Sequence, residues 1–263
     1  MATILDTIAE ATRARVAEAK KNVPLEQIRG AARTLPADTG FPFEKALSAP
    51  GMSFICECKK ASPSKGLIAP DFPYLEIAKS YEDAGASAIS VLTEPQWFLG
   101  QNTYLQEIVQ AVHIPCLRKD FTIDDYMIYE AKVFGASAVL LICSLLSEEQ
   151  IRDSIKLCDS LGLSTLVEAH DANEIEMALR AGARIIGVNN RNLKDFTVDI
   201  HNSGRLRSLV PSEVLFVAES GIKTRADVAA LEEMGVNAIL IGETLMRSEH
   251  KKQLLADLKG SPL

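Results

Sequence analysis

No run in this 263-residue chain approaches the ~18 consecutive apolar residues of a membrane-spanning helix. The N-terminus, Met1 to Glu10, has no basic stretch followed by an apolar core, so it does not read as a secretory signal. Cysteine is sparse and odd in number: Cys56, Cys58, Cys116, Cys143 and Cys158, with no pair at CxxC spacing. A disulfide framework or a zinc ribbon is therefore not expected, and reduced core thiols are. The four histidines, His113, His170, His201 and His250, are scattered, so no metal site is expected. His170, two residues past Glu168, is the one to watch, and a loop role is expected for it. Positive charge is in deficit. Lys and Arg number 28 against 35 Asp and Glu, a net charge of −7. Such a protein has no generic affinity for nucleic acid or acidic membranes. It is expected to be soluble and cytoplasmic, and any anionic ligand must be held by a local set of donors.

What is present is monotonous alternation after about residue 50. Apolar runs at Ser53–Cys58, Ala88–Leu92, Ile114–Leu117, Ala138–Ile142, Ser164–Val167, Arg184–Val188, Val214–Ala218 and Ala238–Ile241 read as strands. Helix-period segments lie between them, at Pro73–Ala84, Asp124–Phe134, Glu148–Leu161, Asn173–Ala181 and Arg225–Met234 among others. A glycine landmark, as in Ala84-Gly-Ala and Phe134-Gly-Ala, ends helices just before strands. Alternation implies a parallel sheet with right-handed crossovers, and eight units closing on themselves make a (β/α)8 TIM barrel. The alternative, an open doubly wound sheet, would usually carry GxGxxG after an early strand, and none is present. The organisation expected is a single barrel domain over 1–263. Residues 1–48 form an N-terminal helical extension packed on it. Ile4–Lys21 reads as an amphipathic helix, and Pro24, Pro36 and Pro42 then break the chain.

Chemistry is expected at the C-terminal ends of the strands. Glu57 and Lys59 share parity with Ile55, and Lys119 with Leu117. Glu168, Asn189 and Glu219 follow the same logic on later strands. Singly, each reads as a solvated loop charge. Convergence of two glutamates and two lysines from three strands is harder to read that way. Glu57 keeps two readings, a direct catalytic one and a supporting one that neutralises Lys59 or Arg191. Trp97 and Phe98 sit where a loop over the mouth offers a flat apolar face. Gly221 and Gly242 follow the last two strands, where barrels often bind phosphate through backbone N–H groups.

These residues fall in seven ordered motifs: Glu57-Cys-Lys-Lys-Ala-Ser-Pro-Ser-Lys-Gly66, Val91-Leu-Thr-Glu94, Leu117-Arg-Lys-Asp-Phe121, Leu166-Val-Glu168, Gly187-Val-Asn-Asn-Arg191, Ala218-Glu-Ser-Gly-Ile222 and Ile241-Gly-Glu-Thr-Leu-Met246. In them the chain resembles the indole-3-glycerol phosphate synthases of tryptophan biosynthesis, over about residues 4–258. The resemblance implies a monofunctional carboxy-lyase. It would convert 1-(2-carboxyphenylamino)-1-deoxyribulose 5-phosphate into indole-3-glycerol phosphate, with no metal and no organic cofactor. It implies Lys119 as general acid and Glu168 as acid–base group of the dehydration. Lys59 would reach the phosphate side, with Glu57 and Asn189 positioning and Arg191 close by. Glu219 and Ser220 would line a polar wall, with Ser62 also on the substrate. Phe98, Phe121, Leu140, Leu193 and Ile222 would form an aryl pocket. Backbone groups of Gly221, Gly242 and Glu243 would bind phosphate. Burial or Lys59 is expected to lower the pKa of Lys119. Other tryptophan-pathway enzymes are the protein partners it suggests, with a monomer or weak dimer as the assembly.

Two positions depart from the family pattern: Trp97 before Phe98, and Gly100-Gln-Asn without the usual serine. Two rival readings stand beside the synthase. One is a Schiff-base phosphosugar aldolase with Lys119 as the amine, the other a non-catalytic phosphosugar-binding barrel.

Overall fold

The computed structural model describes residues 3–191 and 197–260; Leu193, assigned above to the aryl pocket, lies outside them. Eight parallel strands close into a barrel: β1 (Ser53–Cys58), β2 (Ala88–Leu92), β3 (Cys116–Lys119), β4 (Ala138–Ile142), β5 (Ser164–Ala169), β6 (Ile185–Asn189), β7 (Leu215–Glu219) and β8 (Ala238–Ile241), with β8 paired back to β1. A helix follows each strand on the outside, such as Tyr74–Asp83 after β1 and Ala172–Ala181 after β5. The fold is the expected (β/α)8 barrel. The landmark glycines Gly85, Gly135, Gly182 and Gly235 take φ of 79, 84, 92 and 74°, which lets the chain leave a helix and enter a strand in a few residues.

Strand alternation sorts side chains into two layers. Ile55, Ala88, Leu117, Ala138, Leu140, Leu166, Val217 and Leu240 fill the barrel. Their neighbours Phe54, Cys56, Cys58, Ile89, Val139 and Val167 pack against the helices. The five cysteines are all free and buried, as small apolar residues behave.

The N-terminal extension holds both ends of this cylinder. Helix Ile4–Asn22, started by a Thr3/Asp6 capping box, lies at the mouth. There Arg15 pairs with Asp120, and Lys20 with Asp124 at 2.7 Å. Helix Pro42–Leu47 closes the floor: Phe43 and Leu47 are buried in the inner layer. Ser53 Oγ, at the start of β1, donates to Ala46 O at 3.0 Å, and Arg184, just before β6, pairs with Glu44 and Asp159. Burying an aromatic such as Phe43 contributes about 1.5–3 kcal/mol. Two of the expected breaks are also helix starts. Pro24 is the N-cap of Leu25–Thr34 and Pro42 is the first residue of its helix, where a missing N–H costs nothing.

Candidate active site

The strands deliver their polar residues to one level. Register sets Glu57 beside Ser90, Glu168 beside Gly187, and Asn189 beside Glu219. Gly187 has no Cβ because Glu219 Oε1 occupies that space. Above this level opens a cavity of about 870 Å³. Every described residue assigned from sequence borders it: Glu57, Lys59, Ser62, Phe98, Lys119, Phe121, Leu140, Glu168, Asn189, Arg191, Glu219, Ser220, Gly221, Ile222, Gly242 and Glu243.

At the bottom, Lys119 Nζ stands 3.8 Å from Glu168 Oε2 and 3.8 Å from Glu219 Oε2. Asn189 Nδ2 donates to Glu168 Oε1 at 3.3 Å. Lys59 Nζ pairs with Glu57 Oε2 at 2.6 Å. Arg191 points away from Glu57, to Glu243, so of the two partners considered for Glu57 it is Lys59 that takes it. Burial opposes charge on Lys119, but Glu219, Glu168 and Glu57 outweigh it and raise its pKa above the ordinary lysine value. The expectation of a lowered pKa is therefore corrected: Lys119 is a firmly held ammonium. Burial also opposes charge on Glu57, and Lys59 and Lys119 overcome it and lower that pKa.

The two remaining carboxyls diverge. Burial pushes Glu168 up, yet His170 and Lys119 prevail and its pKa falls to about 2. Burial and the neighbouring Glu168 charge push Glu219 up to about 8. Like charges this close do not both ionise readily. Of the two, Glu219 takes up a proton the more readily, and its Oε1 has no hydrogen-bond partner.

One wall is apolar. Phe98 and Phe121 pack with ring centroids 5.9 Å apart, and Ile4, Leu5 and Ile8 of the first helix join them at the cavity. The sequence placed these three on one side of a packing helix but not at the site; the apolar side was the signal. The loop carrying Trp97 and Phe98 is folded around Glu94, whose carboxylate accepts from the N–H groups of Gln96, Trp97 and Phe98 at 2.8, 2.8 and 2.9 Å.

The opposite wall is built from two turns. Ser220 and Gly221 take φ of 68 and 88°, and Thr244 Oγ1 donates to Ile222 O at 2.9 Å, tying the turn after β7 to the one after β8. A side chain at Gly242 would collide with Glu57 and Lys59. The Glu243 carboxylate is ringed by Arg247 at 3.1 Å, Arg191 at 3.7 Å and Lys65 at 3.9 Å. Cations thus collect here although the protein is acidic overall.

Beneath Lys119 lies a buttress that sequence reasoning missed. Asp120 is buried and accepts from Arg15 (2.6 and 3.0 Å), Thr93 Oγ1 (2.6 Å) and the Phe121 N–H (2.8 Å). Arg118, also buried, donates to Met127 O, Asn102 and Glu130. The Arg-Lys-Asp triplet signalled charge; alternate faces explain why Lys119 enters the cavity and Arg118 does not, while Asp120 borders it. Among the described residues no three His, Cys, Asp or Glu side chains are grouped to hold a metal ion, and no helix is long and apolar enough to cross a membrane.

Comparison with known proteins agrees with this geometry. Residues 5–258 match the family model "Indole-3-glycerol phosphate synthase". The synthase of Ruminiclostridium cellulolyticum is 57% identical over 258 residues, covering 98% of this chain and 99% of the relative. That of Endomicrobium trichonymphae is 54% identical over 256 residues, covering 97% and 99%. Among solved structures, a 3-hexulose-6-phosphate synthase superposes with a TM-score of 0.63 at 14% identity, covering 81% of this chain and 100% of its own. Thiamine phosphate pyrophosphorylase from Pyrococcus furiosus gives 0.61 at 15% identity, covering 82% and 96%. Those two likenesses speak to the barrel alone. With its motifs, its cavity and its relatives in accord over nearly the whole length, the chain belongs to the indole-3-glycerol phosphate synthase family.

Proposed function

We propose that this protein converts 1-(2-carboxyphenylamino)-1-deoxyribulose 5-phosphate into indole-3-glycerol phosphate, CO2 and water, as its family membership implies. The observation carrying the reading at the level of residues is the Glu168–Lys119–Glu219 array at the bottom of a cavity with one aromatic and one cationic wall. The aryl group lies against Phe98, Phe121, Leu140 and Ile222, and the phosphate at the turns of Ser220-Gly221 and Gly242-Glu243 with Lys59 and Arg191. The ring carbon bearing the carboxylate attacks the ketone, and negative charge develops on the ketone oxygen. Lys119 stabilises that oxygen and protonates it. An alkoxide is a stronger base than an amine, so a raised pKa does not bar the transfer. Loss of CO2 returns its bonding pair to the ring. The new hydroxyl then leaves as water with a proton from an acid, and a proton is removed from carbon to complete the indole. Glu168, ionised at rest, is suited to the removal; Glu219, protonated at rest, to the donation. Glu57, Asn189 and Ser62 position lysines and substrate hydroxyls.

The aldolase alternative needs a neutral amine on Lys119, and the surrounding carboxylates favour the charged one. The same reading takes residues 1–263 as one cytoplasmic domain. The test is appearance of the indole chromophore on adding the carboxyphenylamino substrate. No chromophore, or a covalent adduct after borohydride reduction, would replace this reading with one of its rivals.

A further inference from the structure

His170 is half-buried beside the site yet has no part in the roles above. It follows β5 and is gripped from both ends. Its Nδ1 lies 2.9 Å from Glu174 Oε2, which also accepts from its backbone N–H at 2.8 Å. Its Nε2 stands 3.3 Å from Glu168 Oε1 and finds no aligned hydrogen bond. Glu174 belongs to helix Ala172–Ala181, whose start is fixed by the Asp171 cap on the Glu174 N–H. The imidazole is therefore held by a carboxylate on a capped helix and aimed at a carboxylate in the catalytic cavity. On its other side lies a cavity of about 570 Å³, whose charged lining groups besides His170 are Asp6, Asp171, Glu174, Arg191, Asp199 and Arg205. The groups in contact with the ring are the two glutamates.

We propose that His170 is a positioning residue of the reaction: clamped by Glu174, it presents a charged imidazole to Glu168, keeps that carboxylate ionised, and so leaves the proton of the buried carboxyl pair on Glu219. The proposal rests on the function given above and assigns its acid and base. Lys119 lies 3.8 Å from each carboxylate of the pair, so its charge does not choose between them. The difference comes from the second contact. Glu168 has His170 and Asn189 on Oε1, whereas Glu219 Oε1 has no hydrogen-bond partner. A carboxylate with a hydrogen-bond donor and a second cation beside it holds its charge more easily than one with neither. Burial works against a charged His170, but its two glutamates outweigh that and lift its pKa to about 10. The cation is then present throughout the neutral range and is lost only as pH rises through that value.

Two measurements decide it. Side-chain nitrogen NMR of the wild-type protein, with His170 assigned by its disappearance in His170→Gln, should show an imidazolium at pH 8. The second is the pH profile of kcat. In wild type the acid limb due to Glu168 should lie below the working range. In His170→Gln it should move up by about one to two pH units or more, and in Glu174→Gln in the same direction by less, with the plateau kept within about tenfold. A residue that only filled space would lower the plateau without moving the limb. A neutral imidazole at pH 7, or wild-type limbs in both variants, would overturn the assignment. The imidazole state is read in the wild-type protein and needs no substrate, and Glu174→Gln keeps the pH profile readable should His170→Gln fail to fold. A protein that made no indole product would overturn the proposed function and still leave this test to be read.

Discussion

Arg15 closes on Asp120 with two hydrogen bonds, 2.6 and 3.0 Å, across 105 residues of chain. The first helix is thereby fastened to the residue that follows Lys119.

Arg15→Met should cost about 1.5–3 kcal/mol, because it takes charge-assisted hydrogen bonds from a buried carboxylate that keeps Thr93, the Phe121 N–H and Arg118, and thermal or urea unfolding would measure it. Burial pushes the Asp120 pKa up, but Arg15 and Arg118 hold it below the ordinary value. Its folded pKa is depressed, so its contribution is present above the unfolded pKa and is lost as pH falls through the folded one. Wild type should lose stability as acid is approached, and Arg15→Met should show a shallower loss. Equal slopes in the two proteins would refute this origin of acid sensitivity.

Lys119→Ala should nearly abolish turnover while product affinity stays within about tenfold, ~1.4 kcal/mol. The variant removes the cation between Glu168 and Glu219. Equilibrium binding and single-turnover rates measured together would check it. A kcat above about a tenth of wild type would exclude the acid role.

Glu168→Gln should leave ring closure possible and slow the dehydration, so that an early intermediate accumulates. Rapid-quench sampling is the check. Product as the sole species, formed at the wild-type rate, would contradict the assignment of Glu168 to the later step.

Inorganic phosphate should compete with substrate at roughly millimolar levels. Lys59→Met should weaken the competition. Gly242→Val should remove it, since a side chain there runs into Glu57 and Lys59. Competition unchanged in both variants would mean that the anion sits elsewhere in the mouth.

The strands and the inward residues at their ends were readable because period-two alternation decides which side chains face the barrel. Where reading failed, a charge stood in for something context decided. β3 runs Cys116–Lys119, two residues later than expected. Ile114-Pro115 looks like the start of a strand and Arg118 like its end. In the fold Arg118 is a buried cation, satisfied by Met127, Asn102 and Glu130, and the ladder passes through it. Pro24 and Pro42 do break the chain, and each also begins the next helix, because a proline's meaning depends on which side of it the helix lies. Lys119 was expected to have its pKa lowered by burial or Lys59; carboxyl groups from other strands reverse that, and their distances are tertiary facts. The contact of His170 with Glu168 likewise depends on where Glu174 places the ring, which adjacency in the chain does not specify.

The floor built from Phe43 and Leu47 has a consequence for traffic. With both side chains buried beneath the strands, the chamber in the barrel is a cul-de-sac whose mouth lies at the C-terminal ends of the strands. On the proposed function, carbon dioxide and water formed in it would share that doorway with the larger indole product. Clearance of the chamber therefore depends on the roof, where the first helix and the loop folded around Glu94 stand beside each other at the exit.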